Sequence, residues 1–171
     1  MVQFYFAAVV SSQQLPAQKQ HPRFGVCRKK LAITEDHLEI RSLDHSALLV
    51  RNVEKSRYFY GQVLGMEEVP RPASFQFPGA WFRKGRAEIH LIGEDEAGRA
   101  AEMRPDNYRP AELATGHGPH IAFEVADLES AQEHLRRHQV EIVGGPRPRG
   151  DGPIQLYVLD PDSYLVELFV R

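Results

Sequence analysis

The chain has almost no cysteine, no strong excess of either charge and no long apolar run, and each absence excludes a class of protein. Its single cysteine, Cys27, cannot form an internal disulfide, which fits a reducing compartment such as the cytoplasm. A formal net charge of −2 provides neither the basic surface that binds nucleic acid nor a polybasic membrane anchor. No apolar run approaches the roughly 20 residues of a membrane-spanning helix. The 171 residues therefore predict about one globular domain.

The first thirty residues also lack every acidic side chain, although they carry five lysines and arginines among Gln, Ser and Pro. A basic, acid-free extension resembles an organelle transit segment, and it equally fits a disordered tail or a misplaced start. We assign residues 1–40 to this extension and residues 41–171 to a single domain.

Four candidate metal ligands are present as two pairs on two similar stretches of the domain. His45 in LDHSALLVRNVEKS corresponds to His120 in GPHIAFEVADLESA, 75 residues later. His90 in AEIHL corresponds to Glu167 in YLVEL, 77 residues later. Because a repeated unit places equivalent residues at equivalent positions, this spacing predicts an internal duplication.

Each half is predicted to be a βαβββ module, with the ligand-bearing strands first and last. Module one covers about residues 43–92 and module two about residues 118–170. They are joined by a charged, Gly- and Pro-rich loop at 93–117, which would serve as a lid or a linker. A second loop is expected at residues 144–153. The predicted fold class is α+β, in which the paired modules form two curled mixed sheets around a metal-binding cavity.

Strand alternation separates the candidate ligands from the apolar side chains. His120 and Glu124 share one face of their strand, and Ile121 and Phe123 share the other. The same alternation holds around Glu167 and in the first module. Because the apolar faces should lie under the helices, the candidate ligands point to the other side of each sheet. Two sheets facing each other would then gather all four over a shared cavity.

These motifs together resemble the vicinal-oxygen-chelate superfamily, which includes glyoxalase I, extradiol dioxygenases, fosfomycin-resistance proteins and bleomycin-binding proteins. The resemblance covers residues 43–170 and rests on DHSALLVRNVEKSRYFYGQVLGM, AEIHLI, GPHIAFEVADLE and YVLDPDSYLVEL. It implies a divalent metal that chelates two neighbouring substrate oxygens. The implied metal ligands are His45, His120 and Glu167, with His90 in the variable fourth position and Glu88 as its alternative. Three imidazoles and one carboxylate favour Ni, Co, Zn, Mn or Fe over Mg or Ca.

The resemblance implies a metal-dependent glyoxalase-like lyase or isomerase acting on a small vicinally oxygenated substrate. In glyoxalase I a metal-bound carboxylate moves the proton, a role that falls on Glu167, with Glu124 as a second candidate base. The chain departs from glyoxalase I at Leu49 and Glu94, where that enzyme has an Arg that meets glutathione and an Asn, and at the variable ligand His90. Glutathione specificity is therefore not expected.

Two other functions remain open. His45, His120 and Glu167 could form the two-histidine, one-carboxylate Fe(II) triad of an extradiol dioxygenase. The cavity could instead sequester an antibiotic or a metabolite without catalysis, as in bleomycin resistance. Ala47 stands where fosfomycin-resistance enzymes need a catalytic Thr, which disfavours that reaction. Modules of this type commonly pair across chains, so a homodimer is expected.

Several further residues allow two interpretations. His134 and His138 have the i, i+4 spacing of a helical zinc site but lack the Glu of a metalloprotease helix, and we interpret them as a solvated face. Arg147 and Arg149 either meet a substrate carboxylate or phosphate or remain solvated. Trp81 either lines an apolar wall of the cavity or belongs to the core.

Overall fold

A computed structural model describes residues 38–103 and 108–171. Residues 41–171 form one compact unit. The predicted N-terminal extension lies outside the described residues except for its last three. Within the described ranges, no helix is both long and apolar enough to cross a membrane.

Module one is the expected βαβββ unit. Its elements are β1 (Ser46–Val50), α1 (Val53–Tyr58) with a π-helical continuation (Phe59–Val63), β2 (Glu67–Val69), β3 (Gly79–Lys84) and β4 (Ala87–Gly93). The strand order is β1-β4-β3-β2, and β1 pairs with β4 in parallel. Asn52 begins α1, because its side chain accepts the backbone N–H of Lys55 at 3.0 Å.

Module two repeats this topology. Its elements are β5 (His120–Glu124), α4 (Leu128–Arg137), β6 (Ile142–Pro148), β7 (Ile154–Leu159) and β8 (Leu165–Val170). The strand order is β5-β8-β7-β6, again with the first and last strands parallel. Asp127 caps α4 as the sequence suggests, accepting the backbone N–H of Ser130 at 2.6 Å. The predicted fold of paired βαβββ modules is confirmed.

Two predicted loops contain regular structure. The prediction of a loop at 144–153 is wrong for residues 144–148, because β6 continues to Pro148. β6 lies at the edge of its sheet and pairs with only one strand. It can therefore contain prolines, which have no backbone N–H to donate. The linking loop at 93–117 contains two short helices, α2 (Arg99–Met103) and α3 (Pro110–Thr115), the second with Pro at its first turn.

One hydrophobic core spans both modules. It is built from the strand faces opposite the candidate ligands, including Leu48, Val50, Ile89 and Leu91 of module one and Leu156, Val158, Val166 and Leu168 of module two. Phe59 and Tyr60 after α1 and Leu128 and Leu135 of α4 complete it. The apolar faces therefore lie under the helices, as the alternation predicts, and each ligand-bearing face is turned away from the shared core.

The turn between β7 and β8 docks on module one through two buried carboxylates. Asp160 accepts the Tyr60 hydroxyl at 3.0 Å. Asp162 accepts the backbone N–H and the Nε of Arg51 at 3.0 and 2.9 Å, and its second oxygen accepts the Ser56 hydroxyl at 3.1 Å. Because these bonds offset the desolvation of two buried carboxylates, they fix how the modules meet.

Asp160 gives the fold a characteristic pH dependence. Burial raises the pKa of Asp160 from 3.8 to about 6, against the opposing effect of backbone N–H groups that donate to it. Between about pH 4 and pH 6, the folded protein therefore keeps the Asp160 carboxyl protonated, whereas the unfolded chain releases that proton. The contribution to the free energy of unfolding is fully present below about pH 4 and is lost as the pH rises through about 6, a change of about 3 kcal/mol.

Asp160→Asn is expected to remove this dependence, because the amide does not titrate. The measurement is the difference in urea-unfolding free energy between the variant and the parent across this pH range. Other carboxylates cancel in that difference. Two parallel curves would contradict the assignment to Asp160.

Candidate metal-binding site

The structure brings the four predicted ligands together as two pairs. His45, the residue directly before β1, and His90 on β4 lie at the outer face of the first sheet, where β1 and β4 run in parallel. His120 and Glu167 lie on the outer face of the second sheet, on the parallel strands β5 and β8. The duplication inferred from the sequence spacing thus has a structural counterpart on each sheet.

His120 and Glu167 form a close imidazole–carboxylate pair. Glu167 lies opposite Ala122 in the strand register, one pleat from His120, and is only 2% exposed. Nε2 of His120 lies 3.0 Å from Oε2 of Glu167. Nδ1 of His120 donates to the carbonyl oxygen of Gly118 at 2.8 Å. That bond assigns the ring proton to Nδ1 and leaves Nε2 beside the carboxylate.

Both oxygens of Glu167 are held in place by neighbouring donors. Arg149 donates to Oε1 at 3.2 Å, and the Tyr157 hydroxyl donates to Oε2 at 3.3 Å. Burial, and then the adjacent Glu167, raise the pKa of Tyr157, which keeps its hydroxyl protonated as a donor. Arg149 is anchored on Asp151 at 2.8 and 2.9 Å, so its charge is shared between two carboxylates.

His45 and His90 form a stacked pair on the other sheet. Their ring centroids are 3.9 Å apart and their planes differ by 16°. The opposite face of His90 is covered by the indole of Trp81 on β3, also at 3.9 Å and with nearly parallel planes. His90 is thus buried between two rings, whereas 39% of the His45 side chain remains exposed.

Two carboxylates hydrogen-bond to the stacked imidazoles. Glu88, the alternative fourth ligand, accepts Nε2 of His90 at 2.9 Å and Nε of Arg83 at 2.7 Å. These bonds lower the pKa of Glu88. Asp44 accepts Nδ1 of His45 at 2.8 Å, which lowers the pKa of Asp44. A carboxylate in this position fixes which nitrogen carries the ring proton and leaves the other available to a ligand.

The two pairs do not meet within one chain. Among the described residues, no three His, Cys, Asp or Glu side chains are grouped so that they could hold a metal ion. The expectation that a single chain gathers all four ligands over one cavity is therefore not met. The physical reason is the shared core, since the modules bury their apolar faces together and leave both ligand-bearing faces outward.

Glu124, the second candidate base, lies on the same face of the second sheet as Glu167. It lies on β5, one pleat beyond Ala122, the residue that pairs with Glu167. Its carboxylate forms an ion pair with Arg171. Arg171 in turn lies over the ring of Phe169, 5.1 Å from its centroid. The structure therefore directs the Glu124 carboxylate towards the end of the chain and not towards His120.

His134 and His138 join the modules instead of forming the solvated face expected from the sequence. Their ring centroids are 4.4 Å apart on α4. Nε2 of His134 donates to the carbonyl oxygen of Val63 at 3.0 Å, and Nδ1 of His138 lies 2.8 Å from the Tyr58 hydroxyl. Both rings are thus engaged with the helical segment of module one.

Sequence reasoning missed the contacts that hold Glu167, because they come from separate elements. Gly116 ends α3 with φ 69° and lies against the Tyr157 ring, so that an added Cβ would overlap the phenol. The segment that links the two modules therefore contacts Tyr157, whose hydroxyl donates to Glu167. The available sequence signal was the glycine itself, a common helix-ending residue.

Gly116→Ala is expected to lower the free energy of unfolding by about 1–3 kcal/mol for the left-handed backbone alone, and further for the displaced ring. Gly65→Ala is the matched control, because Gly65 has φ +63° and open space around its missing Cβ. The comparison uses urea unfolding and the near-ultraviolet circular dichroism of the aromatic side chains. Equal effects of the two substitutions would show that Gly116 makes no close contact with Tyr157.

The donor atoms present fit a transition-metal ion. Two ligands about 2.1 Å from one ion and at right angles lie about 3 Å apart, which matches the distance of 3.0 Å between Nε2 of His120 and Oε2 of Glu167. Both atoms are acceptors when the His120 proton is on Nδ1, so a bound cation would relieve their repulsion. The ring planes of His45 and His90 are nearly parallel, so their nitrogen lone pairs do not converge on one point. These rings must turn before both can bind one ion.

Comparisons with known proteins agree with the fold. Residues 42–168 match the model of the Glyoxalase/Bleomycin resistance protein/Dioxygenase superfamily. "Lactoylglutathione lyase" of Neisseria meningitidis is 34% identical over 132 residues, 74% of this chain and 88% of that protein. "Glyoxylase I 4" of Arabidopsis thaliana is 28% identical over 132 residues, 77% of this chain and 71% of that protein. A glyoxalase/dioxygenase from Nostoc punctiforme matches with a TM-score of 0.59 at 27% identity, covering 76% of this chain and 90% of that one.

The fold and the outer faces define a paired βαβββ protein with one histidine-containing pair of candidate ligands on each sheet. With the matched family model covering most of the chain, the protein belongs to the Glyoxalase/Bleomycin resistance protein/Dioxygenase superfamily. The resemblance inferred from its sequence motifs is confirmed.

Proposed function

We propose that this protein is a divalent-metal-dependent lyase or isomerase of the glyoxalase type, acting on a small vicinally oxygenated substrate. We further propose that it works as a homodimer. In that dimer, His45 and His90 of one protomer and His120 and Glu167 of the second hold one metal ion. The ion would be Ni, Co, Zn, Mn or Fe, because imidazole-rich sites favour these over Mg and Ca.

The observation that carries this proposal is the outward orientation of two matching ligand pairs. Each pair holds two potential ligands side by side, yet the shared core keeps the pairs of one chain apart. A twofold axis that sets the first sheet of one protomer against the second sheet of the other completes two equivalent sites at once. Four protein ligands would leave two positions of an octahedral ion for neighbouring substrate oxygens.

Glu167 is the proposed base. A divalent ion at this site would polarise the substrate oxygens and make the adjacent C–H bond more acidic. The Glu167 carboxylate would take that proton and return it to the neighbouring carbon. Arg149 holds Oε1 at 3.2 Å, which leaves Oε2 on the side of His120. Tyr157 donates to Oε2 at 3.3 Å and would orient the carboxylate through the transfer.

The residues that depart from glyoxalase I support a substrate other than a glutathione adduct. Glu94 is committed to structure, because its carboxylate accepts the backbone N–H of Ala100 at 2.9 Å near the start of α2. Leu49 offers no charge to a carboxylate. An acidic tripeptide would therefore meet an anion and an apolar side chain where a glutathione-specific site needs donors.

The test is metal content and oxygen dependence of protein purified without an affinity tag. We expect one transition-metal ion per protomer, a dimer in sedimentation, and turnover of 2-oxoaldehyde hemithioacetals of thiols other than glutathione that proceeds equally well without oxygen. Iron with oxygen-dependent turnover would instead identify an extradiol dioxygenase. A protein that takes up no metal, and still binds its ligand after Glu167→Ala, would identify a sequestering protein.

A further inference from the structure

An exposed aromatic cluster extends outward from the stacked imidazoles of the first sheet. Phe75 and Phe77 belong to the loop between β2 and β3, and their residues are 40% and 39% exposed. The Phe75 ring lies 5.5 Å from the Trp81 ring and 5.5 Å from the Phe77 ring, both at steep angles. Trp81 stacks on His90 at 3.9 Å. Phe75 is therefore only one ring removed from a candidate metal ligand.

This loop is held in shape before any ligand arrives. Arg71 donates to the backbone carbonyls of Gly79 at 3.1 Å and Phe77 at 3.0 Å, and its guanidinium lies 4.9 Å from the Phe77 ring centroid. A turn bond from Phe75 N to Pro72 O at 3.1 Å closes the loop further. Two aromatic rings that are fixed in place and partly exposed can pack against a planar group of a ligand at little further cost in conformational entropy.

We propose that Phe75 and Phe77, with Trp81, bind an aryl group of the substrate and thereby determine its class. This inference rests on the proposed function, because the vicinal oxygens of the same molecule would reach the ion held beside His90. The substrate would be an aryl-substituted vicinally oxygenated compound, its ring packed on the exposed faces of the two phenylalanines.

The exposed area of the cluster is too small to form a protein interface by itself and suits a small aryl group. An aromatic side chain presents about 150–250 Å², so two rings that are about two fifths exposed offer on the order of 160 Å². A stable protein interface needs about 800 Å² from each partner. The continuous ring series from Phe75 to His90 also aligns the cluster with the proposed site, where a planar ring and its neighbouring oxygens would bind together.

The test compares two α-hydroxy ketones that differ only in the ring, 2-hydroxy-1-phenylethanone and 1-cyclohexyl-2-hydroxyethanone. Binding to the metal-loaded dimer is measured by calorimetry and by the emission of Trp81, the single tryptophan of the chain. We expect roughly tenfold preference for the aryl probe, since each aromatic pair contributes about 2- to 12-fold beyond the area it buries. Phe75→Leu with Phe77→Leu keeps apolar volume and should reduce the preference to less than about threefold.

Equal binding of the two probes, no binding of either, or an unchanged preference in the double variant would overturn the aryl site. A double variant that loses its dimer would also overturn it, because the cluster would then be a protein interface. Metal content of the parent and the variant separates this inference from the proposed function. If the metal is bound normally while the preference is absent, only the aryl site fails.

Discussion

Replacing Glu167 by glutamine is expected to lower turnover by about 10²–10⁴-fold, the range that removal of a general base produces. The substitution preserves the shape of a side chain that is 2% exposed and accepts bonds from Arg149 and Tyr157. It removes the negative charge that would bind the ion and the basic oxygen that would take the proton. Metal affinity should therefore fall together with turnover.

Glu124→Gln is the matched control, because it makes the same chemical change on the same sheet face. Glu124 pairs with Arg171 at the surface, so its loss should leave turnover within about threefold of the parent, as for an exposed ion pair. The measurement is steady-state turnover with metal analysis of both variants. Equal losses in the two variants, or full activity of Glu167→Gln, would remove Glu167 from the proposed chemistry.

The sequence predicts the duplication and the side-by-side placement of the candidate ligands within each module, because both depend on short-range regularities. Alternation along β5 places His120 on one face of the strand and the core residue Phe123 on the other. The repeat spacing links His120 to His45. Parallel pairing of the first and last strands then brings each His to the second ligand of its module. These features follow from the period of a strand and the topology of one module, so they can be read from residues alone.

Sequence reasoning could not determine how the modules of one chain meet, since the same alternating strands could face each other on either side. The apolar faces form the shared core, and Asp160 and Asp162 tie the β7–β8 turn to Tyr60 and Arg51 across that junction. A carboxylate in a turn gives no sign of a partner 100 residues away in sequence. The separation of the two ligand pairs is a consequence of that junction.

Subunit mixing gives the second large effect, because a site shared between protomers can be restored from two inactive proteins. One variant lacks the first pair, as His45→Ala with His90→Ala. The other lacks the second pair, as His120→Ala with Glu167→Gln. Each homodimer alone should be inactive and free of metal. In a twofold dimer made from both variants, one of the two sites receives all four ligands and the other receives none.

The decisive measurement is therefore turnover and bound metal after the two variants are mixed, exchanged and separated by size. Random exchange should restore about a quarter of the parental activity, with one filled site in each mixed dimer. A site that required all four ligands from one chain could never recover in this experiment. If the mixed dimers form and remain both inactive and metal-free, the shared metal site proposed for this protein is contradicted.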